Sequence, residues 1–330
     1  SKILTNHENH ENLPARLKSF RRAFRVFPYI CPMTRKIIYL VNPISGTKNK
    51  QNLPELIAAK TKAAKIHFEI LPTVASGDYK FVKQKIEEEN ITDVVICGGD
   101  GSVNTVTQQL YKTGVNFGIV PLGSGNGLSN TAKIPKDSGK ALDVVIKGHA
   151  AYIDAFTINN EFSCMLCGIG FDAKVAHDFA QQKTRGLLTY AKESFKNFFS
   201  AKPYTFELTV NGAKFNTQAF FISIANSNQF GNQFTIAPKA SLCDGLLDIV
   251  IVPYMNKIVL PLAVLQQVKT GKITSEKEIK TPGITYFQTS QIKIKNVSHA
   301  PLHIDGEPKE TSSSFDIKII PNCFKLLQPV

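Results

Sequence analysis

From Lys36 onward the chain alternates short apolar runs with stretches of helical spacing. Ile37-Ile38-Tyr39-Leu40-Val41 is unbroken apolar sequence that stops at Asn42-Pro43, a turn signal, and so reads as a buried strand. A helix is expected from about Leu53 to Ala64, then a strand His67 to Leu71, a helix Asp78 to Glu89, a strand Asp93 to Cys97, a helix Ser102 to Tyr111 and a strand Asn116 to Val120. Strands that alternate with helices pair in parallel through right-handed crossovers, so this half reads as a doubly wound α/β domain.

After about Asp154 the period shortens to two. Tyr204 to Val210 alternates and ends at Asn211-Gly212, a hairpin turn, and Phe220 to Ala225, Leu247 to Val252 and Ile292 to Lys295 read as further strands. This predicts a second, largely antiparallel β domain, with helices at 187–199 and in 258–269. The expected boundaries are an extension over 1–32, the α/β domain over 33–154 and the β-rich domain over 155–320.

The extension has its own pattern. Leu13, Leu17, Phe20, Phe24 and Phe27 recur at helical spacing, with Arg16, Lys18, Arg21, Arg22 and Arg25 on the other faces. Such a basic amphipathic helix either lies in an anionic membrane interface or folds on the body of the protein, unless these residues precede a start at Met33. No continuous apolar run follows the charges, as a cleaved signal peptide would need.

Composition narrows the class. Hydrophobic residues at 43% and charged residues at 20% belong to a folded globular protein, and no apolar run approaches the roughly 18 residues of a membrane span. The formal charge of +13 favours an anionic membrane face, a polyanion or a nucleotide. The six cysteines fit reduced thiols in a cytoplasmic protein. Cys164 and Cys167 have zinc-knuckle spacing, but no second pair completes a tetrahedral site, and buried strand cysteines are the expectation.

The chemistry concentrates in loops. Gly98-Gly99-Asp100-Gly101-Ser102 joins a strand to a helix with three glycines in four residues, which lets backbone amides and a helix N-terminus approach a phosphate. Asp100 is out of place in a pure anion site unless a divalent cation bridges it to the phosphates, which points to Mg²⁺. Asn42-Pro43-Ile44-Ser45-Gly46 and Pro121-Leu122-Gly123-Ser124-Gly125-Asn126-Gly127 also follow strands, and open α/β sheets bind ligands at strand carboxyl ends.

In order, these three loops resemble the catalytic domain of diacylglycerol kinases, sphingosine kinases and bacterial lipid-kinase relatives. The resemblance continues through Gly168 to Ala173, Arg185 to Tyr190, Pro238 to Asp248 and Asp305 to Pro308, so it spans the chain from Lys36 to its end. It implies an NAD kinase-like α/β domain and a β-sandwich-like domain, with ATP in the cleft between them and residues 321–330 returning to the first domain. The implied ATP contacts are Asn42, Pro43, Ile44, Ser45, Gly46, Thr73, Gly98, Gly99, Asp100, Gly101, Ser102, Val103, Asn104 and Ser124. Asp305 is the implied general base, with Glu307 its neighbour and Asp100 the third catalytic carboxylate. A structural Mg²⁺ is implied on the Ser241 carbonyl, the Asp244 carboxylate and the Leu246 carbonyl. The implied cofactors are ATP and Mg²⁺, and the implied partner is a lipid met at a membrane surface rather than nucleic acid. The corresponding location is the cytoplasm or the inner membrane face.

Other polar residues have plainer readings. Asp172 and Arg185 shape an acceptor site or form an ion pair that stabilises the β domain. Asp248 organises the loop around Asp244, and His303 is structural, although a regular strand would put it on one face with Asp305. Lys192, Lys196 and Lys202 touch a membrane or line a solvated helix. Thr105 and Gly127 depart from the bacterial pattern of Glu and Asp, and Gly127 and Ser124 lean toward the sphingosine-kinase branch. The rivals to a lipid kinase are an NAD kinase, which shares Gly-Gly-Asp-Gly, and a non-catalytic lipid or nucleotide sensor.

Overall fold

A computed structural model describes residues 34–45, 52–174, 202–228, 237–253 and 284–330. The expected helices at 13–27, 187–199 and 258–269 lie outside these residues, as do Gly46, Arg185, Lys192 and Lys196.

The first half is built as the pattern predicts. Strands β1 (Lys36–Val41), β2 (His67–Pro72), β3 (Asp93–Gly98) and β4 (Asn116–Pro121) alternate with helices α1 (Leu53–Ala63), α2 (Lys80–Glu89) and α3 (Asp100–Leu110). All their pairings are parallel, in the order β2-β1-β3-β4. The order reverses between β1 and β3, so the loops leaving their carboxyl ends open a crevice at a switch point. Local signals agree: α1 carries proline in its first turn, and α2 ends on Asn90 in the left-handed region. Two further helices, α4 (Gly127–Thr131) and α5 (Ser138–Lys147), follow β4, and the Asp137 carboxylate caps α5 by accepting from Lys140 N at 2.8 Å.

The second half is antiparallel throughout its own pairings. It comprises β5 (His149–Ile158), β6 (Glu161–Ser163), β7 (Leu166–Gly170), β8 (Tyr204–Val210), β9 (Ala213–Ala225), β10 (Leu247–Pro253), β11 (Thr285–Thr289), β12 (Gln291–Asn296), β13 (Leu302–Ile304), β14 (Glu307–Lys309) and β15 (Ser314–Gln328). Asn211 and Gly212 take φ of +48° and +82° between β8 and β9, the two-residue turn that suits strand twist.

One strand joins the halves. The start of β15 pairs with β12, and after an irregularity at Ile320 to Phe324 its end pairs in parallel with β4, Lys325 to Asn116 and Leu326 to Phe117. β5 runs antiparallel beside it across both segments. Phe324, Leu326 and Leu327 thus enter the core of the α/β half, while Phe315 and Ile317 enter that of the β half. Each such side chain removed from water contributes roughly 1.5–3 kcal/mol.

Candidate active site

The crevice is lined by loops that hold one another. Asn42 Nδ2 donates to Ser102 Oγ at 2.8 Å, and Asn42 Oδ1 accepts from Ile44 N and Ser45 N at 2.9 and 3.3 Å, so one side chain ties the first loop to the glycine-rich loop. A side chain at Gly98 would strike Ser102, with Cβ only 2.7 Å away. Gly99 and Gly123 pack back to back: a methyl on Gly123 would stand 2.7 Å from Gly99 Cα. Helix α3 begins without a side-chain cap, and its first ladder bond runs from Val103 N to Gly99 O at 3.0 Å. The amides of Asp100, Gly101 and Ser102 precede that bond and form the donor end of the helix.

The structure gives Asp100 a use other than the one that suggested a metal. Its Oδ1 accepts from Gly127 N and its Oδ2 from Asn126 N, each at 2.7 Å. Asp100 is therefore not out of place among the glycines, because the third loop supplies two amides to it. Burial still pushes its pKa up, against those hydrogen bonds. Asn126 adopts φ of +55° and exchanges bonds with Gly123 through both ends of its amide, which fixes that loop.

The facing carboxylates come from the β half. Asp305 and Gly306 take φ of +50° and +82° in the tight turn between β13 and β14. Asp305 Oδ1 accepts from Ser163 Oγ at 2.7 Å and Leu166 N at 2.9 Å, whereas its shielded Oδ2 has no hydrogen-bond partner among the described residues. Burial raises the Asp305 pKa to about 7; the Ser163 and Leu166 bonds oppose that rise and the Asp100 charge adds to it. Glu307 closes over the glycine-rich loop, since a methyl on Gly101 would stand 2.3 Å from Glu307 Oε1. The strand does not continue through Asp305, so the simple alternation that would place His303 and Asp305 on one face fails. His303 is instead buried, accepts from Gly306 N at Nδ1 and faces Asp172.

The remaining expected contacts divide by exposure. Pro43, Ile44 and Ser124 are exposed beside the crevice, and Ser45 and Thr73 are half-buried. Val103 has a buried side chain and an amide already committed to Gly99, so it offers the crevice neither. Asn104 Nδ2 reaches Phe162 O at 3.4 Å, and Phe162 stacks on Tyr111 with ring centres 5.3 Å apart, a contact between the halves. In the 241–246 turn, Asp244 Oδ1 accepts from Leu246 N at 3.0 Å and Oδ2 from Gln288 Nε2 at 3.3 Å. Behind it the Asp248 carboxylate is buried and accepts from the Tyr286 hydroxyl on Oδ1, while Oδ2 has no hydrogen bond of standard geometry among the described residues. Burial lifts the Asp248 pKa to about 6, with the Asp244 charge adding to the rise. A cation on the Ser241 and Leu246 carbonyls and the Asp244 carboxylate fits these residues, because it would relieve the second carboxylate behind them. No three His, Cys, Asp or Glu side chains cluster as a metal centre among the described residues. Cys164 and Cys167 are both buried free thiols whose pKa burial pushes well up.

The segments that carry this geometry match known families in the same order. Residues 36–158 match the diacylglycerol kinase catalytic domain, and residues 166–328 match the YegS C-terminal NAD kinase beta sandwich-like domain. The chain belongs to the diacylglycerol kinase catalytic-domain family. Among its relatives are the diacylglycerol kinases of Staphylococcus aureus and Staphylococcus carnosus, each 26% identical over 277 residues, which is 82% of this chain and 85% and 88% of theirs. A crystal structure of a diacylglycerol kinase from Bacillus anthracis strain Sterne shares the fold, with a TM-score of 0.68 at 19% identity over 89% of this chain and 97% of that one. A second structure from the same organism gives 0.73 at 20%, over 89% and 96%.

As a member of the diacylglycerol kinase family the protein is a kinase with an α/β domain and a β-sandwich-like domain. Three residues that build its site are not among the expected contacts. Ser163 precedes Cys164 as an unremarkable strand residue, and only the fold brings it to Asp305, 142 positions away. Asp154 passed as a domain boundary, yet its carboxylate accepts from Gly245 N at 2.8 Å and Asn322 N at 2.7 Å, fastening the 241–246 turn to β15. Asn126 was visible as the polar residue of a glycine loop, which is a signal for the left-handed region it adopts.

Proposed function

We propose that this protein transfers the γ-phosphate of ATP to the free hydroxyl of diacylglycerol. The observation that carries the reading is Asp305: a carboxylate from the β half, held on one oxygen by Ser163 and Leu166 and without a partner on the other among the described residues, in a turn whose Glu307 closes over the glycine-rich loop. Phosphoryl transfer asks a protein chiefly to position two groups, neutralise charge and accept a proton. The loops 42–45 and 98–102 would hold the phosphates through backbone amides and the Asn42 and Ser102 side chains. Bound with ATP, Mg²⁺ supplies charge neutralisation on the phosphates. The acceptor oxygen forms a bond to the γ-phosphorus as the bridge to ADP breaks, and its proton passes to Asp305 Oδ2. A pKa of about 7 suits a group that must be unprotonated before the step and protonated after it. The choice of acceptor rests on the staphylococcal relatives, which are diacylglycerol kinases. The charge of +13 draws the protein to the anionic lipid surface where such an acceptor resides.

Purified protein, Mg²⁺ and γ-labelled ATP are incubated with a total lipid extract, with diacylglycerol or sphingosine vesicles, and with NAD. Label in phosphatidic acid is the expected result. Label in a sphingoid phosphate would move the acceptor, label in NADP would make this an NAD kinase, and ATP binding with no transfer to any acceptor would make it a sensor. In Asp305→Asn, ATP binding should persist while transfer falls by ~10² or more, the scale of a lost general base.

A further inference from the structure

A buried acid–imidazole pair lies under the turn that carries Asp305. His303, on β13, is 2% exposed and Asp172 is 8% exposed. Asp172 Oδ1 accepts from Ala173 N at 2.8 Å, and Oδ2, which makes no hydrogen bond of standard geometry among the described residues, faces His303 Nε2 at 3.4 Å. The other ring nitrogen, Nδ1, accepts from Gly306 N at 3.3 Å. Gly168 stands opposite His303 in the β7–β13 ladder and makes room for both: a methyl there would be 1.9 Å from Asp172 Oδ2 and 2.4 Å from His303 Nε2. Three positions, Gly168, Asp172 and His303, are thus fitted to one arrangement.

That arrangement bears on the catalytic turn. In a two-residue hairpin loop with both central φ positive, the amide of the second residue is outside the strand ladder and can rotate with its peptide plane, which distinguishes the two primed turn types. Here that amide belongs to Gly306, and its plane also carries the Asp305 carbonyl. An Nδ1 that accepts has no proton, so the neutral ring carries its proton on Nε2, toward Asp172. Were the proton on Nδ1, two donors would face each other and the peptide would favour the flipped orientation.

We propose that Asp172 and His303 are positioning residues: Asp172 selects the Nε2–H tautomer of His303, and His303 Nδ1 thereby locks the Asp305–Gly306 peptide and the direction of the Asp305 carboxylate. The proposal rests on the reading of Asp305 as the proton acceptor, but its first test does not. In the native protein, nitrogen-15 spectra of the histidines should show His303 as the neutral Nε2–H form near pH 8, hydrogen-bonded at Nδ1; a proton on Nδ1 overturns the proposal without any variant.

Asp172→Asn is nearly isosteric. Its oxygen keeps the bond to Ala173 N, so its amide nitrogen takes the place of Oδ2 and presents a donor to Nε2. The expected result is a switch of His303 to the Nδ1–H form, a changed Gly306 amide shift and a kcat lowered 10-fold or more, with the KM for ATP and the melting temperature close to wild type. An unchanged tautomer, or a loss confined to KM or to stability, overturns it. His303→Asn can still offer an oxygen near the Nδ1 position, whereas His303→Ala cannot. Asn should therefore recover part of kcat relative to Ala, and equal activities of the two argue against the Gly306 bond. If Asp305→Asn proves fully active, the proton-acceptor reading fails, while the spectra still decide whether Asp172 sets the tautomer.

Discussion

Asp305 is costly to ionise where it sits, because among the described residues its surroundings replace water with two hydrogen bonds, both on one oxygen. Its folded pKa of about 7 lies above the ordinary carboxylate value, so the folded state holds the proton more tightly than the unfolded chain does. The associated stability is fully present below about pH 4 and is lost as pH rises through about 7. Asp305→Asn keeps an oxygen for Ser163 and Leu166, and asparagine tolerates the positive φ. It should melt a few degrees higher than wild type at pH 8, with the advantage vanishing toward pH 4, while transfer is lost; calorimetry across that range checks this. Ser163→Ala removes a bond that holds the pKa down. The acid limb of kcat/KM should therefore move to higher pH, and an unmoved limb would detach Ser163 from Asp305 in the working enzyme. Asp305 stands out in the sequence as part of a motif, but Ser163 does not, because nothing local marks a serine whose partner lies 142 residues away.

At the scale of elements, the glycine loops are legible as turns in the sequence, but their mutual packing is not. Gly98, Gly99 and Gly101 look equivalent along the chain, and the structure gives each a different neighbour: Ser102, the Gly123 backbone and the Glu307 carboxylate. The consequences of adding a methyl should differ in the same way. At Gly123 the methyl meets backbone at 2.7 Å, which cannot yield without moving a whole loop. Gly123→Ala should cost about 1–3 kcal/mol, measured by denaturant titration. At Gly101 the methyl meets the exposed end of a flexible side chain, so Gly101→Ala should fold with nearly native stability and lose transfer because Glu307 is displaced. Parallel strands β1 to β4 were readable because each is a short apolar run between turn signals. The turn that separates β13 from β14 at Asp305 was not read, since three-residue strands carry too little pattern for a period to show.

Across the whole molecule, β15 makes the two halves depend on each other. Side chains from both ends of this 15-residue strand enter the cores of the two halves, and its last residues pair with the α/β sheet. Leu326 is fully buried, so Leu326→Ala should cost ~2–5 kcal/mol. The loss should appear as reduced amide-exchange protection in β12 as well as β4; protection lost from β4 alone would show that the halves unfold separately. The chain contains no tryptophan, so circular dichroism and hydrogen exchange are the suitable probes. By itself the sequence determined the alternation of strands and helices, the change to antiparallel strands and the motifs of a lipid-kinase family. Periodicity and turn chemistry act over a few residues and leave their marks locally. Only the tertiary structure decided that Asp100 is held by Asn126 and Gly127, that Ser163 holds one oxygen of Asp305, and that Glu307 closes on Gly101. Those contacts join residues from 26 to about 200 positions apart, and burial, which sets their strength and the pKa of Asp305, is a property of the folded chain alone.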